Sequence, residues 1–252
     1  MMPVHDLAQL TWEEVRDLDR GRTLVILPVG AMEAHGPHLP LGTDIIIANA
    51  MAESAARKLS KRGHPIVVLP QVIYAPATFA AEFPGTVSVS AASLTALVLD
   101  LARSLSRQGF RLLAIANAHL DPEHLTALYE TVKLARQSGM LPIVFPDLTR
   151  KPWGSRLGDE FRSGACHAGQ FETSIVLGVW REFVRDKIRR SLPPNPVSLS
   201  DAIKAGKRTF GEAGGPRAYF GNPGAASAKE GKRLIDTLGT ILDEAVTAEI
   251  DR

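Results

Sequence analysis

Glu33, His35, His38 and Asp44 lie within one Gly- and Pro-rich segment, PVGAMEAHGPHLPLGTD, residues 28–44, that follows an apolar run. Glu33 and His35 are two apart, so in an extended loop both project the same way, and a carboxylate plus an imidazole can grip one divalent ion or two neighbouring ones. Asp44 offers two oxygens, enough to bridge a pair of ions about 3.5–4 Å apart, as in two-metal hydrolases. A lone His or Asp in a loop is usually a turn residue. Four such residues together beyond a strand favour a metal site, with His38, between Pro37 and Leu39, expected to orient the loop or support a ligand.

A second run, RLLAIANAHLDPEH, ends in Asn117, His119, Asp121, Glu123 and His124. His119 would leave the same sheet edge as the first loop, which makes it the natural third protein ligand. Asp121 repeats the two-residue offset, but directly before Pro122 it is also an ordinary helix cap, and both roles stay open. Glu123 and His124 are expected to be structural residues of a first helical turn. In a third segment, GACHAGQFETS, residues 164–174, His167 could shuttle a proton at neutral pH, and Glu172 could ligate a metal or hold His167. Cys166 is not expected to act as a nucleophile, because sequence neighbours rarely face each other.

These segments need a frame. Short β-rich apolar runs at 23–30, 65–70, 111–117 and 141–146 alternate with amphipathic stretches, the pattern of a parallel sheet sandwiched by helices. Thr43 could cap a helix running to about Lys61, Ser90 one ending at Gly109, and Asp121 with Pro122 one ending near Gly139. GQFETSIVLGVWREFV reads as a further helix, and SAKEGKRLIDTLGTILDEAVTAEI as a closing amphipathic one. Residues 193–224 are rich in Pro and Gly with little periodicity, as expected of an active-site rim, and GEAGGPRAYFGNPG within them reads as a lid or subunit contact. The fold expected is α/β: a three-layer α/β/α sandwich with a mainly parallel central sheet, one domain over residues 1–252.

Composition excludes several classes. The 252 residues carry 29 basic and 27 acidic side chains with no basic run, so nucleic acid is not an expected partner. No apolar stretch approaches the roughly 18 residues of a spanning helix, so a membrane is not expected either. The single cysteine and the start MMPVHDLAQL, with no cationic-then-apolar leader, make a cytoplasmic location the expectation.

Taken together, the motifs resemble the creatininase (creatinine amidohydrolase) family. GAMEAHGPHLPLGTD matches the family's first-loop pattern almost residue for residue; FPGTVS at 83–88, HAGQFETS at 167–174 and GNPGAASAKEG at 221–231 resemble its other signatures, so the similarity spans nearly the whole chain. The resemblance implies a creatininase-like fold and a metal-dependent amidohydrolase that opens a C–N bond of a small cyclic or linear amide with water activated by two divalent ions, zinc or manganese first and iron third. Glu33, His35, Asp44 and His119 would be ligands with Asp44 bridging, Asp121 or Glu172 would complete the second site, and His167 would be the catalytic histidine. It also implies a small-molecule substrate and a homo-oligomer, with a hexamer as the expectation.

The chain departs from the family where substrate is expected. It has Asn117-Ala118-His119-Leu120-Asp121-Pro122 where many relatives have Asn-Gly-His-Gly-Gly-Asn, Asn222 where Asp is usual, and Thr78, Phe79 and Glu82 before FPGT. Thr78, Glu82 and Trp153, the last opening a loop to Arg162, are the expected substrate contacts. The same metal site could instead open a formamide or the carbon–carbon bond beside a cyclic ketone, or remain as a non-catalytic metal-binding scaffold.

Overall fold

The apolar run at 23–30 forms β2, Leu24–Val29, and every residue of it is buried, as in a strand covered on both faces. Successive side chains point to opposite faces. Leu24 and Ile26 enter one core; Val25, Leu27 and Val29 enter another. The computed structural model describes residues 1–252, and around β2 it builds a single sheet from β1 (Val4–Asp6), β3 (Ile66–Val68), β4 (Leu112–Asn117) and β5 (Ile143–Val144). The order is β1-β3-β2-β4-β5, with every ladder parallel. Beside the four expected strands stands a fifth, β1, at the sheet edge.

Helices cover both faces. On one lie α2 (Thr43–Lys61), α6 (Gln170–Val179) and α9 (Ala228–Ile250), packed on Leu24, Ile26, Leu112 and Ala114. On the other lie α3 (Ala91–Arg107) and α4 (Pro122–Gln137), packed on Val25, Leu27, Leu113 and Ile115. This is the expected α/β/α sandwich. Truncating a fully buried side chain here, such as Leu27 to Ala, would cost about 2–5 kcal/mol.

Helix starts follow the sequence signals with one exception. Ser90 caps α3 by accepting from Ser93 N, Asp121 caps α4 ahead of Pro122 at N1, and Ser227 caps α9 by accepting from Glu230 N. Thr43, expected as a cap, is instead the first residue of α2, because its hydroxyl donates to Pro40 O at 2.7 Å. The rest of the chain adds α1 (Trp12–Asp17), α5 (Asp159–Ser163), α7 (Asp186–Ser191) and α8 (Leu199–Lys204), the last within the stretch read as lacking periodicity. No helix is long and apolar enough to cross a membrane.

Candidate metal centre

Strand register brings the first two chemical segments together. Val29 pairs with Asn117, so neighbouring parallel strands β2 and β4 end side by side and release the Glu33 loop and His119 at one sheet edge, the usual ligand position in an open α/β sheet. Asp44 reaches the same edge because Gly30 lets the backbone pass close to the start of α2: a Cβ there would stand 2.8 Å from the Asp44 carbonyl carbon. Glu172 lies in the first turn of α6, behind a tight loop in which the buried Ala168 adopts a φ of 51°. Glu160 clamps that loop, its two oxygens accepting from Phe171 N (2.9 Å) and Asn222 N (2.7 Å).

Six buried side chains converge: Glu33, His35, Asp44, His119, His167 and Glu172. They form three groups of potential metal donors, Glu33–Asp44–His119, His35–Asp44–Glu172 and Glu33–His35–His167, with the donor atoms of each group within 4.8 Å of one another. Asp44 joins the first two through different oxygens. Its Oδ2 is 2.9 Å from His119 Nδ1, and its Oδ1 is 3.2 Å from His35 Nε2. Glu33 Oε1 stands 3.4 Å from His119 Nδ1, and Glu172 Oε2 3.6 Å from His35 Nε2. Two donors sharing one ion at about 2.1 Å stand roughly 3.0–3.4 Å apart for bond angles of 90–109°, so the spacing suits shared cations.

Hydrogen bonding supports the same fit. His35 Nδ1 donates to Glu33 O (3.1 Å) and His119 Nε2 to Pro76 O (2.6 Å). A carbonyl oxygen only accepts, so the proton of each neutral ring sits on that outer nitrogen and a bare lone pair faces the carboxylates, the arrangement that orients metal-binding histidines. His35 Nε2 and Asp44 Oδ2 have no hydrogen-bond partner although both are buried. Burial alone would lower the His35 pKa, but Asp44, Glu172 and Glu33 outweigh it and push it up to about 10; Glu33 and Asp44 likewise hold His119 well above the usual value. Burial would raise Asp44, yet His35 and His119 pull it below the ordinary carboxylate range. Burial pushes Glu172 up to about 8. A field that binds protons this strongly attracts a divalent cation at the same atoms.

His167 differs. Burial, with His35 second, lowers its pKa well below the usual value. Its Nε2 donates to Ala34 O at 2.9 Å, which leaves Nδ1 as an acceptor 3.7 Å from Glu33 Oε1. The ring is held between His35 and Phe210, with centroids 4.4 and 4.2 Å away.

Other residues fall outside the donor groups. Asp121, a candidate ligand by sequence, has both oxygens taken by protein donors: Glu123 N at 2.8 Å on Oδ1, Thr78 Oγ1 at 3.0 Å and Phe79 N at 3.1 Å on Oδ2. It is a cap and loop anchor at the wall of the cleft. Thr78 spends its hydroxyl on that anchor and does not line the cleft. Glu82 is exposed and accepts from Gly211 N (2.7 Å), tethering the loop that carries Phe210. Trp153 faces a separate cavity between β5 and the end of α9. The placements of Asp121, Thr78, Glu82 and Trp153 share a cause, since loop side chains are aimed by tertiary contacts that sequence spacing does not encode. His38 orients the loop as expected, with Nε2 2.9 Å from Thr173 Oγ1. His124 Nε2 donates to Asn117 Oδ1 (2.8 Å). Cys166 is half-buried, and desolvation pushes its thiol up to about 12, unlike a nucleophile. The sequence reading missed the apolar wall of Leu120, Leu199, Ile203 and Phe210; the Gly- and Pro-rich stretch carrying three of them was its only signal.

The creatininase family profile, described as creatinine amidohydrolase, matches residues 8–246. The chain belongs to the creatininase family. A Mycobacterium tuberculosis protein named mycofactocin precursor peptide peptidase is 30% identical over 222 residues, covering 84% of this chain and 79% of that protein. The Pseudomonas putida creatinine amidohydrolase is 28% identical over 198 residues, covering 71% of this chain and 73% of its own. A tryptophan-to-alanine variant of creatininase superposes with a TM-score of 0.76 at 23% identity, over 98% of this chain and 99% of that one. A creatininase described as a manganese form (TM-score 0.71, 23% identity, 97% and 98% covered) and a glutamate-to-glutamine variant described as zinc–zinc (0.69, 22%, 97% of each) share the fold. As a member of the creatininase family the chain is an amidohydrolase, an enzyme acting on carbon–nitrogen bonds.

Proposed function

We propose that the chain hydrolyses the C–N bond of a small linear or cyclic amide with two divalent ions, zinc or manganese and with iron the third candidate. The observation that carries this is the pair of buried donor groups joined through the two oxygens of Asp44, with histidine tautomers fixed by backbone carbonyls. Glu33, Asp44 and His119 would hold one ion, and His35, Asp44 and Glu172 the other. Bound there, the ions would supply Lewis acidity toward the amide carbonyl and lower the pKa of water.

The remaining chemistry belongs to side chains. His167 sits in the group that takes Glu33 from one centre and His35 from the other, so it faces both. Its Nδ1 accepts a proton and later releases it to the departing nitrogen, while the Ala34 carbonyl holds the ring in that tautomer. Phe79, Leu120 and Phe210 wall the cleft and limit bulk water around the reacting bond. The same reading carries a homo-oligomer, a hexamer by expectation, and a cytoplasmic location.

The test is a hydrolysis panel of lactams, linear amides, formamides and cyclic ketones, run on zinc- and manganese-loaded protein beside His167→Ala. Turnover of amides is expected, with the variant keeping its metal and losing about 10²–10⁴-fold in kcat. Unchanged turnover in the variant removes His167 from the mechanism, and metal-loaded protein inert on every amide overturns the proposal.

A further inference from the structure

The cleft above the donor groups holds only part of a substrate. Its volume is about 50 Å³, while one water needs roughly 10–15 Å³, so it accepts a single small group such as an amide. The remainder of any larger molecule lies outside, where a second cavity of about 540 Å³ begins. Leu120, Pro122, Cys166, Leu199 and Ile203 line both, so the inner cleft and the outer cavity adjoin along a shared wall.

The outer lining is cationic. Arg150, Lys151, Arg162 and Lys204 border it, and no carboxylate does. Three of these lean on an acid three residues away that is not part of the lining: Arg150 on Asp147 (3.3 Å), Arg162 on Asp159, and Lys204 on Asp201 (2.9 Å). Lys151 pairs with no carboxylate, and an arginine engaged by one acid keeps guanidinium donors free for another.

We propose that this outer cavity is an anion subsite for a carboxylate carried by the substrate beyond its scissile amide, as at the end of a short peptide or an acylated amino acid. The substrate's apolar side chain lies on the shared wall and its charge meets Lys151 and the neighbouring arginines. This rests on the amidohydrolase reading for the position of the reacting bond, and it narrows the substrate from any small amide to an acidic, extended one.

The test compares two ligands: N-acetyl-Val-Leu with a free carboxylate, and the same peptide as its C-terminal amide. Calorimetry on full-length His167→Ala protein, with zinc and again after chelation, is expected to give the acid at least about tenfold tighter binding, with a gap that narrows as salt rises. Lys151→Glu should erase the gap and leave binding of the amide peptide unchanged. In the active enzyme the pair should differ chiefly in KM, with kcat similar, as for binding shared by ground and transition states. Equal affinity for the two forms, no binding of either, or a preference that survives Lys151→Glu overturns the subsite. A preference in binding with no amide hydrolysed overturns the amidohydrolase reading instead and leaves the subsite standing.

Discussion

Exchanging one carboxylate at a time separates the two acids that sequence spacing could not rank. Glu172 stands 3.6 Å from His35 Nε2 inside a donor group, whereas Asp121 is bonded on both oxygens by protein donors. Mutating partners that merely support a ligand weakens metal binding 10–100-fold. Glu172→Gln removes a proposed direct donor and should therefore cost at least about 100-fold at one site, leaving the Glu33–Asp44–His119 centre filled. Elemental analysis after dialysis should fall from two ions per chain to one. Asp121→Asn should keep both ions and lose stability instead. Asn can still cap Glu123 N through its oxygen, and Thr78 can rotate its hydroxyl to accept, but the Phe79 N–H then faces an NH₂ and goes unpaired. A buried unpaired donor costs about 1–3 kcal/mol, which at 2–4 °C per kcal/mol for a chain of this size lowers Tm by roughly 2–12 °C. If Asp121→Asn halves the metal content and Glu172→Gln leaves it intact, the assignment of the second centre is reversed.

Three further outcomes follow from the same geometry. Chelation should lower Tm by roughly 8–16 °C per site filled at about 1,000 times its Kd, since such binding contributes about 4 kcal/mol; identical melting with and without chelator would count against a metal centre. Gly231→Ala would place a Cβ 1.7 Å from Ser174 O, so α9 must move off α6 at a cost of at least about 1–3 kcal/mol, and the ion nearer Glu172 should loosen first; unchanged Tm and metal content would refute it. Burial, then the charges of His35 and Arg189, pushes the pKa of His38 down to about 4. The neutral ring therefore contributes about 3 kcal/mol above pH 6.5, lost as pH falls toward 4; His38→Asn should flatten the stability curve in that window, and parallel curves would exclude the effect.

Much of the architecture is legible because the chain repeats one physical pattern. Fully apolar runs bounded by Gly and Pro, followed by capped amphipathic stretches, leave few alternatives to a covered parallel sheet, and the register Val29 with Asn117 then puts the two polar loops together. β1 escapes such reading because it is three residues long, largely exposed and defined only by its pairing with β3. Cap and ligand roles of Asp121 are identical in local pattern; what separates them is the approach of Phe79 N and Thr78 from a loop about forty residues earlier. The walls supplied by Phe210, Leu199 and Ile203 are invisible for the same reason, as nothing in a Gly- and Pro-rich stretch says which side chains turn inward.

The separation of the two donor groups joined at Asp44 is set at a distance from the donors themselves. Asp44 belongs to α2 and Glu172 to α6, and α9 lies against both. It does so at two glycines eight residues apart, about 80° around the helix: Gly231 meets the backbone of Ser174, and Gly239 meets Ser54, with positions for a Cβ only 1.7 and 2.1 Å from their nearest atoms. Neighbouring faces of one helix thus set how near α2 and α6 approach, and with that how near Glu172 stands to Asp44. Side chains at these two positions would act on metal spacing without touching a ligand, so tuning of the second site is expected to map to α9 as much as to the loops that carry the donors.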